Sequence, residues 1–179
     1  MPIISETELR AENVLNTAKQ MIVAARTAPK ARGVDNLEIV IADHKEIKII
    51  AQKMMELSQT DEAFAFFSRD ATNILKCDYL VLIGTRIKSL GLKGCNLCGF
   101  SNCDEKDKNP DVPCVFNTND LGIAIGSAVS VASNLRVDNR VMFSVGKAAL
   151  ELKILGEDVK IIFGIPLSIS AKNIFFDRK

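Results

Sequence analysis

The spacing Cys95-x2-Cys98-x4-Cys103-x10-Cys114 constrains this chain most, because one irregular stretch must bring four of its five cysteines to a common purpose. Those cysteines lie in residues 86–119, where hydrophobic periodicity dissolves between an apolar run ending at Gly84 and another opening at Asp120. A segment of that length without regular structure, inside a compact chain, is functional or disordered, and clustered thiols favour function. Four thiolates so spaced can wrap one tetrahedral or cubane centre. Gly94 and Gly99 allow the unusual backbone angles that such wrapping demands. Asn96, Ser101 and Asn102 are available as donors to sulfur.

Other uses of the thiols stay open at this level. A structural zinc site also takes four cysteines, but its usual form is two C-x2-C knuckles about 15–20 residues apart, which this compressed motif is not. Disulfides suit an oxidising compartment. A dithiol redox pair at Cys95 and Cys98 would be expected to open a helix beside a strand, whereas this pair lies in a glycine-bearing loop. Cys77 heads a buried run and reads as a small core residue.

At 179 residues the chain reads as a single domain over 1–179, able to bury roughly 70% of the surface its unfolded form exposes. With 23 basic and 22 acidic residues it offers no bulk field for nucleic acid or an anionic membrane. The absence of Trp and the single Tyr argue against a base-stacking platform. The opening MPIISETELRAENV lacks the basic start and apolar core of a signal peptide, and no run reaches the ~18 apolar residues of a membrane span. The expectation is a cytoplasmic protein binding neither nucleic acid nor membrane.

Ser5 and Glu8 have capping-box spacing, and the apolar stripe that follows predicts a helix over Thr7–Arg26, ended by Pro29. A strand is expected at Leu37–Ala42. Asp43 should cap a helix running to Leu57, and Thr60 or Asp61 another reaching Ile74. Cys77–Gly84 predicts a second, largely buried strand. Asp120 is the expected N-cap of a long helix ending near Arg136, apolar or small all round and suited to self-association through Gly122, Gly126, Ser127, Ala128 and Ser130. A strand at Val141–Val145, a short helix at Lys147–Leu155, a turn at Gly156–Asp158 and a strand from Val159 to Ile165, left at Pro166, complete the pattern. Helices interleaved with at least four strands make the class α/β or α+β. The segment from Arg136 to Arg140 reads as a substrate or subunit contact, or as a capped turn with an internal salt bridge. His44 reads as an exposed residue at a helix start.

The run CNLCGFSNC, the later Cys114 and NDLGIAIGSAVSVASNLRVDNRVMFSVG resemble the small, uncharacterised ferredoxin-domain-containing proteins of anaerobic bacteria and archaea. That resemblance implies a [4Fe-4S] cluster on Cys95, Cys98, Cys103 and Cys114, with zinc as the alternative metal, and electron transfer to a redox partner protein. A more distant likeness is to the flavin-dependent nitroreductases. It rests on AARTAPKARGVDNLEIVIADHKE, on the helix from Asp120, and on IIFGIPLSISAKNIFFDR. It implies an α+β homodimer, with a central mixed or antiparallel sheet flanked by helices and FMN at the subunit boundary. The polar Asn and Gln of that family's loop would fall on Gly33 and Asp35. The cations that remain for a flavin phosphate are Arg26, Lys30, Arg32 and Arg178, which read equally as solvated loop charges. A flavin-dependent oxidoreductase and a non-enzymatic, metal-stapled binding module are therefore the competing expectations.

Overall fold

A computed structural model describes residues 3–176. The Ser5–Glu8 capping box is formed in full, and α1 runs Glu6–Thr27 from it. After a single turn at Ala31–Gly33 come β1 (Leu37–Ala42), α2 (His44–Leu57), a turn at Glu62–Phe64, α3 (Phe67–Ile74) and β2 (Tyr79–Arg86). Then follow α4 (Cys103–Asp107), α5 (Val115–Asn134), β3 (Asp138–Asn139), α6 (Phe143–Glu151) and β4 (Val159–Ser168).

The strands form one antiparallel sheet in the order β1-β2-β4-β3. Side chains alternate across a strand, and the apolar run of β2 therefore feeds two cores. Leu80 and Leu82 pack with α2, α3 and α6, while Val81 and Ile83 pack with α1 and α5. The sheet is thus covered on both faces, giving three layers of helix, sheet and helix. Cys77 belongs to the first core, as expected of a small buried residue. His44 is exposed at the start of α2.

Five expectations are corrected. The strand expected at Val141–Val145 is reduced to one bridge, Met142 to Gly164, before the chain turns into α6. Burial of Val145, Ala148 and Ala149 follows a helical stripe, and Ser144 Oγ donates to buried Asp70 at 2.7 Å. Gly146 permits this, because a Cβ there would lie 1.8 Å from the Ile162 carbonyl oxygen. β4 continues through Pro166 to Ser168, since Leu167 and Ser168 pair with β3, an element with no hydrophobic signal of its own.

The long helix begins at Val115 and not at Asp120. Asp120 lies inside it and accepts the Ala31 N–H with both carboxylate oxygens at 3.1 Å, so its carboxylate caps a turn in another segment. α5 is not buried all round. Leu121, Ala124, Ala128 and Ala132 form its core face, whereas Gly122, Ile123, Gly126 and Ser130 are exposed. Finally, among the described residues Arg136–Arg140 has no internal salt bridge. Asp138 accepts from Asn173, and Arg140 donates to the Phe175 carbonyl and lies 5.3 Å from the Phe176 ring centre.

Candidate metal centre

Between β2 and α5 the chain runs through residues 87–114, irregular except for α4, so the segment expected over 86–119 is shorter at its C-terminal end. Its entry is tied down at three consecutive residues. The Lys88 N–H donates to Asn117 Oδ1 at 2.8 Å, Ser89 Oγ donates to Asp107 Oδ1 at 2.6 Å, and the Leu90 carbonyl accepts from Arg32 Nη1 at 2.7 Å. These anchors reach α5, α4 and the α1–β1 connection respectively. A loop so pinned presents a defined wall.

Behind that wall is a small recess lined by Cys95, Cys98, Cys103 and Cys114 together. Cys114 is buried; the other three are half-buried, and all four thiols are free. The rest of the lining is largely apolar, with Leu90, Leu92, Phe100, Val115 and Phe116. As the side chains stand, no three Cys, His, Asp or Glu groups among the described residues converge on a single point.

Local backbone explains how the thiols come to share one recess. Gly94 and Gly99 take positive φ, 71° and 86°, on either side of the Cys95–Cys98 pair, and Asn96 takes 48° between them. These left-handed angles fold the chain sharply enough to turn both thiols inward. Asn102 Oδ1 accepts the Glu105 N–H at 2.8 Å and so starts α4, which carries Cys103 on its first residue. Glu105 in turn accepts from the Ser101 hydroxyl and N–H, which holds its carboxyl below the usual range. Of the three donors expected to serve sulfur, Ser101 and Asn102 thus have capping partners, while Asn96 and Asn102 line the recess.

The donor set fits a soft metal or an iron–sulfur cluster. Thiolates are the ligands of both, and an apolar wall excludes water and raises the local field. Cys77 is placed differently. It is buried in the helix-side core, and its thiol is pushed up to about 12 by burial and by the charge of Asp78.

Arg26, Lys30 and Arg32 gather at the C-terminal end of α1, and each already has an internal partner. Arg26 pairs with Asp35 at 2.5 Å and donates to the Leu37 carbonyl. Lys30 Nζ donates to the carbonyls of Ala25, Arg26 and Ala28, which places its cation at the negative end of the helix. Burial lowers its pKa. Arg32 holds the cysteine loop through Leu90 from a left-handed conformation, φ 57°. Arg178 lies outside the described residues.

Sequence reasoning missed three residues of this neighbourhood: Asn117, Ser89 and Lys106. Lys106 is only 2% exposed although charged. Its signal was the i, i+3 spacing from Cys103, which becomes informative only once a helix is granted at Cys103–Asp107.

No helix among the described residues is long and apolar enough to cross a membrane. The fold is shared with flavoproteins. A crystal structure described as the oxidoreductase containing FMN superposes with a TM-score of 0.59 at 14% identity, covering 88% of this chain and 67% of that one. A nitroreductase with bound FMN from Desulfitobacterium hafniense DCB-2 superposes at 0.54 with 14% identity, covering 96% and 81%. The fold is therefore α+β and nitroreductase-like, with an antiparallel sheet flanked by helices. At the level of sequence, an uncharacterized protein of Archaeoglobus fulgidus is 39% identical over 98% of this chain and 97% of its own length. Residues 110–178 match the family described as uncharacterized proteins containing a ferredoxin domain (DUF2148), and with that relative matched along almost its entire length, the chain belongs to this family.

Proposed function

We propose that this protein is an iron–sulfur redox protein whose Cys95, Cys98, Cys103 and Cys114 hold a [4Fe-4S] cluster, and that it passes single electrons to or from a redox partner protein. The observation that carries this reading is the single apolar recess lined by all four thiols. A cluster of this kind supplies one-electron chemistry at a potential set by its surroundings. The chain's own part is ligation and insulation. Gly94, Asn96 and Gly99 turn the thiols inward, Leu90, Leu92, Phe100, Val115 and Phe116 exclude water, and Asn117, Asp107 and Arg32 hold the loop entry in place. Such a site requires reduced thiols and hence a reducing compartment, which for this reading is the cytoplasm. The working unit would be one domain over 1–179, with the metal-binding loop within residues 86–119.

The decisive experiment is metal and sulfide analysis of protein prepared without oxygen. About four iron and about four sulfide per chain, lost together in Cys103→Ser, are expected. Stoichiometric zinc without sulfide overturns the reading in favour of a four-cysteine staple that orders the loop for a binding module.

A second reading adds FMN, and the shared flavoprotein fold favours it. Here Arg26, Lys30, Arg32 and Arg178 are the proposed phosphate cations. A phosphate would compete with Asp35 for Arg26 and with the helix-end carbonyls for Lys30. Equilibrium dialysis with FMN checks this: no uptake by gently purified protein rejects it. For the assembly we propose a homodimer closed over the exposed strip Gly122, Ile123, Gly126 and Ser130 of α5, where small residues allow close backbone approach.

A further inference from the structure

Lys106 presents an energetic problem that the described protein does not resolve. It is 2% exposed, and among the described residues the one acceptor within reach of its Nζ is Asp107 Oδ1, at a long 3.4 Å. That carboxylate is itself more than half exposed and accepts a much shorter bond from Ser89 Oγ, at 2.6 Å, which holds its pKa down. An ammonium has three donors. Burying it with a single long contact is costly unless a further negative charge lies close by.

The position of Lys106 shows where that charge belongs. α4 begins at Cys103, and residues three apart on a helix lie side by side, roughly 5–6 Å between Cβ atoms. The Cys103 thiol lines the recess. Asp107, the lysine's partner, is bonded to Ser89, which lines the same recess. Lys106 is therefore linked to the recess through two of its lining residues, Cys103 on the same helix and Ser89 by way of Asp107, and no Lys or Arg lines the recess itself. Four thiolates leave either a zinc ion or a [4Fe-4S] core with net negative charge, and that charge grows when a cluster is reduced.

We infer that Lys106 is the buried counter-charge of this thiolate centre and raises its reduction potential, an assignment that rests on the cluster reading above. The electron arrives from a one-electron reductant, dithionite in the assay, and stays on the cluster as one added negative charge. Lys106 favours the reduced state by proximity. It acts through the cluster, so it is a positioning residue for charge.

The test is a mediated dithionite titration followed by EPR on anaerobically reconstituted full-length protein. Lys106→Met keeps the stem's packing and removes the charge; Lys106→Arg keeps the charge. The expectation is that Met loads cluster to the wild-type level with a clearly lower midpoint potential, while Arg stays near wild type. An unchanged potential in Lys106→Met, or equal shifts in Met and Arg, overturns the assignment and leaves the cluster reading standing. Wild-type protein that takes up zinc and no sulfide overturns both. Should Lys106→Met fail to load, Asp107→Asn decides. Freeing the lysine of its carboxylate is expected to raise the potential more than Asp104→Asn does, although Asp104 directly follows a cysteine. A smaller or equal shift overturns the assignment.

Discussion

The Lys88 N–H donates to Asn117 Oδ1 at 2.8 Å, which ties the entry of the cysteine loop to the helix that begins just after its last cysteine. Asn117 is nearly fully buried while Lys88 is exposed, so the bond is part-buried. Asn117→Ala removes the acceptor and leaves the Lys88 N–H to the solvent. Stability should fall by about 1–2 kcal/mol in urea unfolding. With the proposed cluster loaded, iron release to a chelator should also accelerate, because one fixed side of the recess is freed; an unchanged release rate would show that the loop is held elsewhere.

Cys77 and the three half-buried loop cysteines should separate under alkylation. In native apo-protein, iodoacetamide is expected to modify the half-buried Cys95, Cys98 and Cys103 before Cys77, which is buried with its thiol pushed up to about 12. Peptide mass spectrometry reads the order. Modification of Cys77 in the folded protein at a rate equal to the others would contradict its placement in the core.

The same shift predicts an alkaline weakness. The Cys77 thiol is neutral in the fold up to about 12, whereas in the unfolded chain it ionises near its ordinary value of 9.0. The unfolded state therefore binds fewer protons in this window, and stability must fall as pH rises from about 9 toward about 12, with a limiting slope of about 1.4 kcal/mol per pH unit. Below pH 9 the residue contributes no pH dependence. Cys77→Ala should flatten that part of the stability profile; an identical slope in the variant would assign it to other groups.

Two glycines in helices should respond in opposite ways to alanine. At Gly146 the new methyl would meet the Ile162 carbonyl oxygen at 1.8 Å, and backbone cannot rotate aside. A loss of about 3 kcal/mol or more is expected, at the upper end of overpacking. At Gly122 nothing lies within 4 Å, so Gly122→Ala should stabilise the monomer by up to about 1 kcal/mol through helix propensity. Thermal melts of the pair check the packing of α6 on β4 directly.

The α5 strip offers a test of assembly. Gly126 is exposed and open, so Gly126→Leu is tolerated within one chain. If two copies meet there, the added bulk should turn a dimer into a monomer by light scattering with little change in the circular dichroism spectrum. A dimer that survives Gly126→Leu places the interface elsewhere.

Several features were legible because they depend on neighbours in sequence. The capping box at Ser5 and Glu8, the Asp43 cap and the largely buried run of β2 are local, and each formed as its residues dictate. The cysteine spacing likewise contains its own glycines, whose left-handed angles need no distant partner. Tertiary structure decided what local pattern could not. Val141–Val145 has the composition of a strand, but Gly146 lets its chain lie directly on Ile162, and the helix that forms buries Val145, Ala148 and Ala149. Asp120 has the chemistry of a cap, but the helix extends past it because Asn117 is used to hold Lys88 and Asp120 to hold Ala31. β3 exists only because β4 offers it an edge. Lys106, charged and central to α4, carries no sign of burial in its own composition. Its environment is assembled from segments on both sides of it, and the energy of a buried charge depends on what those segments place nearby.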